Sequence, residues 1–408
     1  MLDPIQNAAL RIVTGAFRSS PSSSLHVEAS EIPLLVKRKI LALKYYSKII
    51  SNPNHPLNNF FSSSNNQIFP HNALNTRLSF PNRCLQYIAH PNLTPFPNVM
   101  KQYPQQVEPW LLPIPTVKNN HFSRSLPPII TLKKFNQFKT NHHNWNFIFT
   151  DGSKTVEGVG TAVVSDNHTL LYSLQPYCSV YTAELFGINH TVCNIPINCP
   201  RSVICSDSES ALKSLQDPFS THPLIIELKQ HLKTLTKMGC RVLFLWLPGH
   251  CGITGNEKAD SQARLAIKTG QVVTSSICKD VISGIKEIGW QEWQDEWFTM
   301  RDNKLRMVQQ TVKRPTRNLN LLRREDVVLT RLRIGHTRLT HGHLMKKENA
   351  PTCRYCGNDL TVRHILTECI AHEPHRFSSD LQEMLSEDPT KITKLFHFLK
   401  IINIYDHI

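Results

Sequence analysis

Hydrophobic positions recur with a clear rhythm in some parts of the chain and with almost none in others. Leu10, Ile12 and Val13, then Leu34, Leu35, Ile40, Leu41 and Leu43, form apolar stripes. Lys37, Arg38, Lys39 and Lys44 fall between them, which predicts helices over residues 1–52, interrupted at Pro21 and a serine run. Residues 53–143 are rich in Pro, Asn and Ser, and their periodicity is weak. They predict a linker with short local structure, disordered in part.

The strongest pattern lies in residues 144–268. Asn146-Phe147-Ile148-Phe149-Thr150 predicts a strand buried on both faces, ended by Asp151 and a turn at Gly152. Segments 158–164 and 169–175 predict two antiparallel strands. A helix over 180–192 crosses to a strand at 202–206. Helices over 208–215 and 222–238, a strand over 241–247 and a closing helix over 256–267 follow. This order predicts an α/β fold with a mixed five-stranded sheet and helices on both faces. Residues 280–345 return to helix, with Trp290, Trp293 and Trp297 at helical spacing and a basic stretch from Lys304 to Arg338. Residues 350–408 hold a cysteine cluster and a helical tail marked by Leu381, Met384, Leu385, Leu395, Phe396 and Leu399.

Composition adds a partner class. The chain has 408 residues, room for two or three domains, and a formal net charge of +15. Such an excess points to a polyanion, nucleic acid first. The opening Met1-Leu2-Asp3-Pro4 is unlike a secretion signal, and no apolar run approaches the roughly 20 residues of a membrane span. Most of the eleven cysteines are scattered, which suggests a reducing compartment, nucleus or cytoplasm, and no secretion.

Four acids stand out by position. Asp151 and Asp207 each end a predicted strand, and the helix between them makes those strands parallel. Both carboxylates then lie at the carboxyl edge of the sheet. Glu184 shares the inward face of the crossover helix with Ile188, and Gly187 lets that helix approach the sheet. Asp260 sits on the closing helix with Ala259, Ala263 and Ala266, one turn after Asn256. His250 precedes it on a loop with three glycines. Any one of these acids alone is more often a helix cap or a solvated charge. Together they would repel one another unless protons or hard divalent cations intervene.

Phe149-Thr150-Asp151-Gly152-Ser153, Tyr181-Thr182-Ala183-Glu184-Leu185, Ser206-Asp207-Ser208-Glu209-Ser210-Ala211-Leu212 and the run from Pro248 to Asp260 resemble the four signature segments of type 1 ribonuclease H, in family order. The resemblance implies a nuclease that cuts the RNA strand of an RNA–DNA hybrid with two Mg²⁺ ions, Mn²⁺ being able to stand in. By the same resemblance Asp151 would bridge both ions. Glu184 and Asp207 would hold the one near the leaving oxygen, and Asp260 the one that activates water. His250 matches a mobile histidine that helps product leave or moves a proton. Ser179 and Asn256 are candidate polar contacts to substrate. Between Leu215 and Arg241 there is room for one long helix, so the extra basic helix of some members is missing and grip falls to the basic flanks.

Cys353 and Cys356, two residues apart, with His364 and Cys369, form a second constellation, three thiolates and an imidazole suited to tetrahedral Zn²⁺. This cluster resembles the C-terminal zinc knuckle of jockey-like non-LTR retrotransposon polyproteins. The segment from Leu329 to Gly342 and the opening segments 6–11 and 14–18 resemble the same family, the latter as the region after a reverse transcriptase thumb. No Asp-Asp dipeptide occurs, so the polymerase's paired-Asp motif is missing, and a truncated element or a fragmentary gene model is implied. The competing reading is a catalytically idle nucleic-acid-binding remnant. A polynucleotidyl transferase of related fold fits the four segments less well. Oligomeric state has no signature in the sequence.

Overall fold

Phe147 and Phe149 alternate with Ile148 and Thr150 along one strand, and all four side chains are buried. Successive side chains of a strand point to opposite faces, so this strand needs cover on both sides. The computed structural model supplies it. It describes residues 2–62, 79–89, 96–102, 108–118, 122–196, 200–312 and 319–408. Cys199, much of the predicted linker and part of the basic stretch before Arg338 lie outside the described residues. The chain divides into two units, residues 42–286 and residues 1–41 with 287–408.

The first unit is built on a sheet of strands β1 (Val117–Lys118), β2 (Asn146–Lys154), β3 (Val159–Ser165), β4 (Thr169–Leu174), β5 (Arg201–Ser206), β6 (Arg241–Trp246) and β7 (Gln271–Val272). Their spatial order is β1-β6-β5-β2-β3-β4-β7. β2, β3 and β4 are antiparallel, whereas β2, β5 and β6 run parallel. The five expected strands are all present, in a mixed sheet. Two-residue edge strands extend the five to seven. They are too short to carry a period-2 pattern, which is why the sequence did not betray them.

Helices α1 (Pro128–Asn141), α2 (Val180–Cys193), α3 (Glu209–Leu215), α4 (Pro223–Lys237) and α5 (Thr254–Thr269) accompany the sheet. Glycines set their approach. A side chain at Gly255 would strike the Phe149 ring, and one at Gly187 would meet Thr161 and Thr150. Phe149 and Thr150 face opposite ways, so α5 and α2 cover opposite faces. α1 falls in the stretch read as a linker, yet Phe135 is buried, with its ring centroid 6.0 Å from those of both Phe147 and Phe149. Leu132, Phe135 and Phe138 recur every three residues and pack on the core, a short stripe masked by the polar composition around it.

β2 also differs from expectation. It does not turn at Gly152 but pairs with β3 as far as Lys154. Its pairing with β5 stops at Phe149 opposite Cys205. Asp151 therefore lies within the strand, just past the point where the parallel neighbour departs. Gly152 serves a close approach: a Cβ there would come within 2.7 Å of the Glu184 main-chain nitrogen.

In the second unit, helices Leu2–Thr14, Ser22–Glu28, Arg323–Ile334 and Pro389–Ile401 contribute to three apolar clusters. Trp293 and Trp297 are buried in one of them, with Val27 and Val36. Of the first apolar stripe only Leu10 is buried; Ile12 and Val13 are exposed. Arg333 and Glu28 form a buried ion pair with both carboxylate oxygens 3.1 Å from Nε. Arg333 also donates to the Leu385 carbonyl and the Gln309 side chain, and these partners offset the cost of burying its charge. No described helix is long and apolar enough to cross a membrane.

Gly160 is a test of how closely α5 must lie on the sheet. A methyl there would collide with the main chain of Ala263 and Ile267, which cannot yield as a side chain can. Gly160→Ala should destabilise the protein by roughly 1–3 kcal/mol in chemical denaturation; an unchanged midpoint would contradict the packing described.

Candidate active site

Two residues beyond the paired Phe149 and Cys205 stand Asp151 and Asp207. Equal register puts the two carboxylates side by side just past the last shared rung of β2 and β5. Glu184, in the first turn and a half of α2, reaches the same place because Gly152 admits the helix. One carboxylate oxygen from each of Asp151, Glu184 and Asp207 lies within 4.8 Å of the others. Asp151 and Glu184 are each only 6% exposed, so water does little to relieve their repulsion.

The electrostatic consequences are direct. Burial, then the charges of Asp207 and Asp260, push the Asp151 carboxyl up to about 7. Burial, then Asp151 and Asp207, hold Glu184 well above the usual carboxylate range. Burial also raises Asp207, against a hydrogen bond from Asn256 and the nearby His250, which favour its charged form. Glu184 Oε2 is buried with no hydrogen-bond partner. An orphaned carboxylate oxygen among three converging acids fits a hard divalent cation, which takes oxygen donors and tolerates shared carboxylates.

Asp260 stands apart from this trio. It is on α5, and both its oxygens lie 3.1 Å from Arg264 Nη2, one turn on. Its charge is near enough to raise Asp151 and Asp207. Arg264 carries no signal in the sequence beyond its i, i+4 spacing from Asp260. Gly249 is a second such residue. A Cβ there would sit 2.8 Å from Asp207 Oδ2, so any larger residue at this position would displace that carboxylate oxygen.

His250 is exposed at the mouth of the site and has a positive φ of 55°, uncommon for a residue with a side chain. The loop is tied to α5 through Glu257: one carboxylate oxygen accepts the Gly252 N–H at 3.1 Å, and the other lies 3.7 Å from His250 Nδ1. Ser179 is the N-cap of α2, its hydroxyl accepting the Thr182 N–H at 3.1 Å. Asn256 is buried and turns its amide toward Asp207, with its carbonyl oxygen unpartnered. Between α3 and β6 there is only α4, as the sequence spacing implied.

A second cluster lies in the other unit. Cys353, Cys356, His364 and Cys369 bring their ligand atoms within 4.8 Å of one another. Cys353 Sγ is 3.8 Å from Cys369 Sγ, and Cys356 Sγ is 3.2 Å from His364 Nε2. Gly357 takes φ +74°, which closes the turn after Cys356. The free ring nitrogen of His364 faces Glu368 at 3.8 Å, the outer-shell carboxylate that metal-bound imidazoles commonly have. Burial would raise the Cys353 thiol, but the Tyr355 N–H, His364 and Cys356 outweigh it and leave it at about 6, where thiolate is plentiful. Of the other cysteines, Cys178, Cys205 and Cys240 are buried, and Cys193, Cys251 and Cys278 only partly so.

The raised carboxyls make stability depend on pH. A carboxyl with a raised pKa holds its proton more tightly in the folded than in the unfolded chain. Its stabilising effect is complete below the ordinary range near 3.8 and is lost as pH rises through about 7. In divalent-free buffer at pH 7, Asp207→Asn should therefore raise stability by on the order of 1–2 kcal/mol. Magnesium should raise the melting temperature of the wild type and leave that of the variant nearly unchanged. Thermal unfolding with and without magnesium checks both; a variant less stable than wild type in chelator would oppose the electrostatic account.

No curated protein matches the chain. The family model RNase H matches residues 143–268, which span the trio, Asp260 and His250. Residues 143–268 of this chain are an RNase H domain.

Proposed function

We propose that this domain hydrolyses the RNA strand of RNA–DNA hybrids. The observation that carries the reading is the gathering of Asp151, Glu184 and Asp207, with one buried oxygen left unpartnered. Asp151, Glu184 and Asp207 would hold magnesium, with Asp260 completing the set once Arg264 releases it. Bound there as a pair, the ions would supply Lewis acidity for in-line displacement at phosphorus. Asn256 keeps Asp207 oriented and favours its charged form. His250, exposed at the mouth, would serve the leaving product. Glu257 limits how far its loop strays.

Grip on a polyanion would come from basic side chains around the domain. Lys133, Lys134 and Lys139 are exposed on α1. Arg124 is exposed, with its guanidinium 6.0 Å over Trp246 and 3.4 Å from Glu209. Discrimination of RNA from DNA would rest on contacts to the 2′-hydroxyl. The C-terminal cluster would hold Zn²⁺ through three thiolates and His364, a closed structural set. Together with the segment 329–342, it supports an origin in the C-terminal part of a retrotransposon polyprotein.

A labelled hybrid incubated with the full chain and magnesium tests the activity. The RNA strand should be cut and the DNA strand spared. Asp207→Asn should slow cutting by roughly a hundredfold or more, equivalent to about 3 kcal/mol in the barrier. Binding of the hybrid without cleavage by the wild type would instead identify an idle nucleic-acid-binding remnant. For the second cluster, Cys356→Ser should lower the zinc content of the purified protein by one equivalent, and unchanged zinc would remove that assignment.

A further inference from the structure

α2 runs from the carboxylate trio toward Cys193, its last residue. Nine residues separate Cys193 from Glu184, about 13 Å along the axis at 1.5 Å per residue, so the helix end is a different place from the active site. There α2 packs on α4, and Cys193 meets Glu227 and His231, with one ligand atom from each within 4.8 Å of the others. Glu227 and His231 are four residues apart on α4 and therefore project from one face. Asn189, one turn before Cys193, ties the group together. Its amide donates to Glu227 Oε2 at 2.9 Å, and its carbonyl oxygen accepts the Cys193 thiol at 3.5 Å. That bond fixes one carboxylate oxygen and leaves Oε1 for another partner, as second-shell amides do at metal sites.

We propose that Cys193, Glu227 and His231 form a zinc site on the RNase H domain, separate from both clusters described above. Sulfur and imidazole donors select zinc over magnesium, which prefers oxygen alone. Around zinc, sulfur at about 2.3 Å and nitrogen or oxygen at about 2.0–2.2 Å place ligand atoms roughly 3.3–3.8 Å apart. Glu227 and His231 are exposed and can rotate the remaining distance. The carbonyl end of α2 favours a cation. Binding would release the Cys193 thiol proton to solvent, and a water would complete the four-coordinate set. The ion would staple the end of α2 to α4 and so steady the helix that carries Glu184.

The test is zinc per chain in the full-length protein, stripped with chelator, dialysed against zinc and then against metal-free buffer. Wild type, His231→Gln, Cys193→Ser and Cys356→Ser are compared. His231→Gln and Cys193→Ser should each lose one equivalent, and zinc should raise the melting temperature of wild type by more than that of either variant. His231 is on the surface, so its replacement should leave unfolding in chelator unchanged. His231→Gln with wild-type zinc content would overturn the proposal, whatever Cys356→Ser shows. Loss in His231→Gln with none in Cys356→Ser would uphold this site and dismiss the C-terminal one.

Discussion

Asp151, Glu184 and Asp207 repel one another where the first two are nearly shut off from water, and the surrounding fold holds them there. Burial and mutual charge both oppose ionisation, so the protein groups by themselves favour protons. The same crowding gives a cation its affinity. Much of the sheet and three of its helices can be understood as the frame that keeps this unfavourable arrangement from relaxing. β2 and β5 fix two of the acids through a shared hydrogen-bond ladder, and α2 brings the third.

Closeness in this frame comes from missing side chains. Gly152 admits the start of α2, Gly249 admits the histidine loop, and Gly255 lets α5 rest on the Phe149 ring. Polar groups then tune what the glycines have brought together. Asn256 favours ionised Asp207, Arg264 neutralises Asp260, and Glu257 anchors the loop of His250. The C-terminal cluster uses the opposite strategy. Its donors are thiols held by short local turns and one helix-borne imidazole, so they need little of the distant chain to meet.

The sequence was informative where burial imposes a period. Phe147 to Thr150, Val203 to Cys205 and Leu243 to Leu245 announced the central strands, and Asp207 announced the end of one of them. α1 escaped notice because its apolar positions sit among Pro, Asn and Lys, and only contact with Phe147 reveals their role. The edge strands escaped because two residues have no period. Gly152 was read as a turn because glycine after a strand usually is one; its true constraint is a helix arriving from far along the chain, which no local pattern encodes. Arg264 and the Cys193 group show the same limit, since spacing along one helix is visible and the partner on another is not.

Equal offset of Asp151 and Asp207 from their last shared rung has a consequence for how such a domain can vary. Lengthening the connection between α2 and β5 leaves the rungs where they are. Adding or deleting a single residue inside β5 would turn Asp207 to the opposite side of the sheet, with no intermediate position available. Alignment of the two carboxylates is thus all-or-none with respect to strand length, while loop length is free to drift.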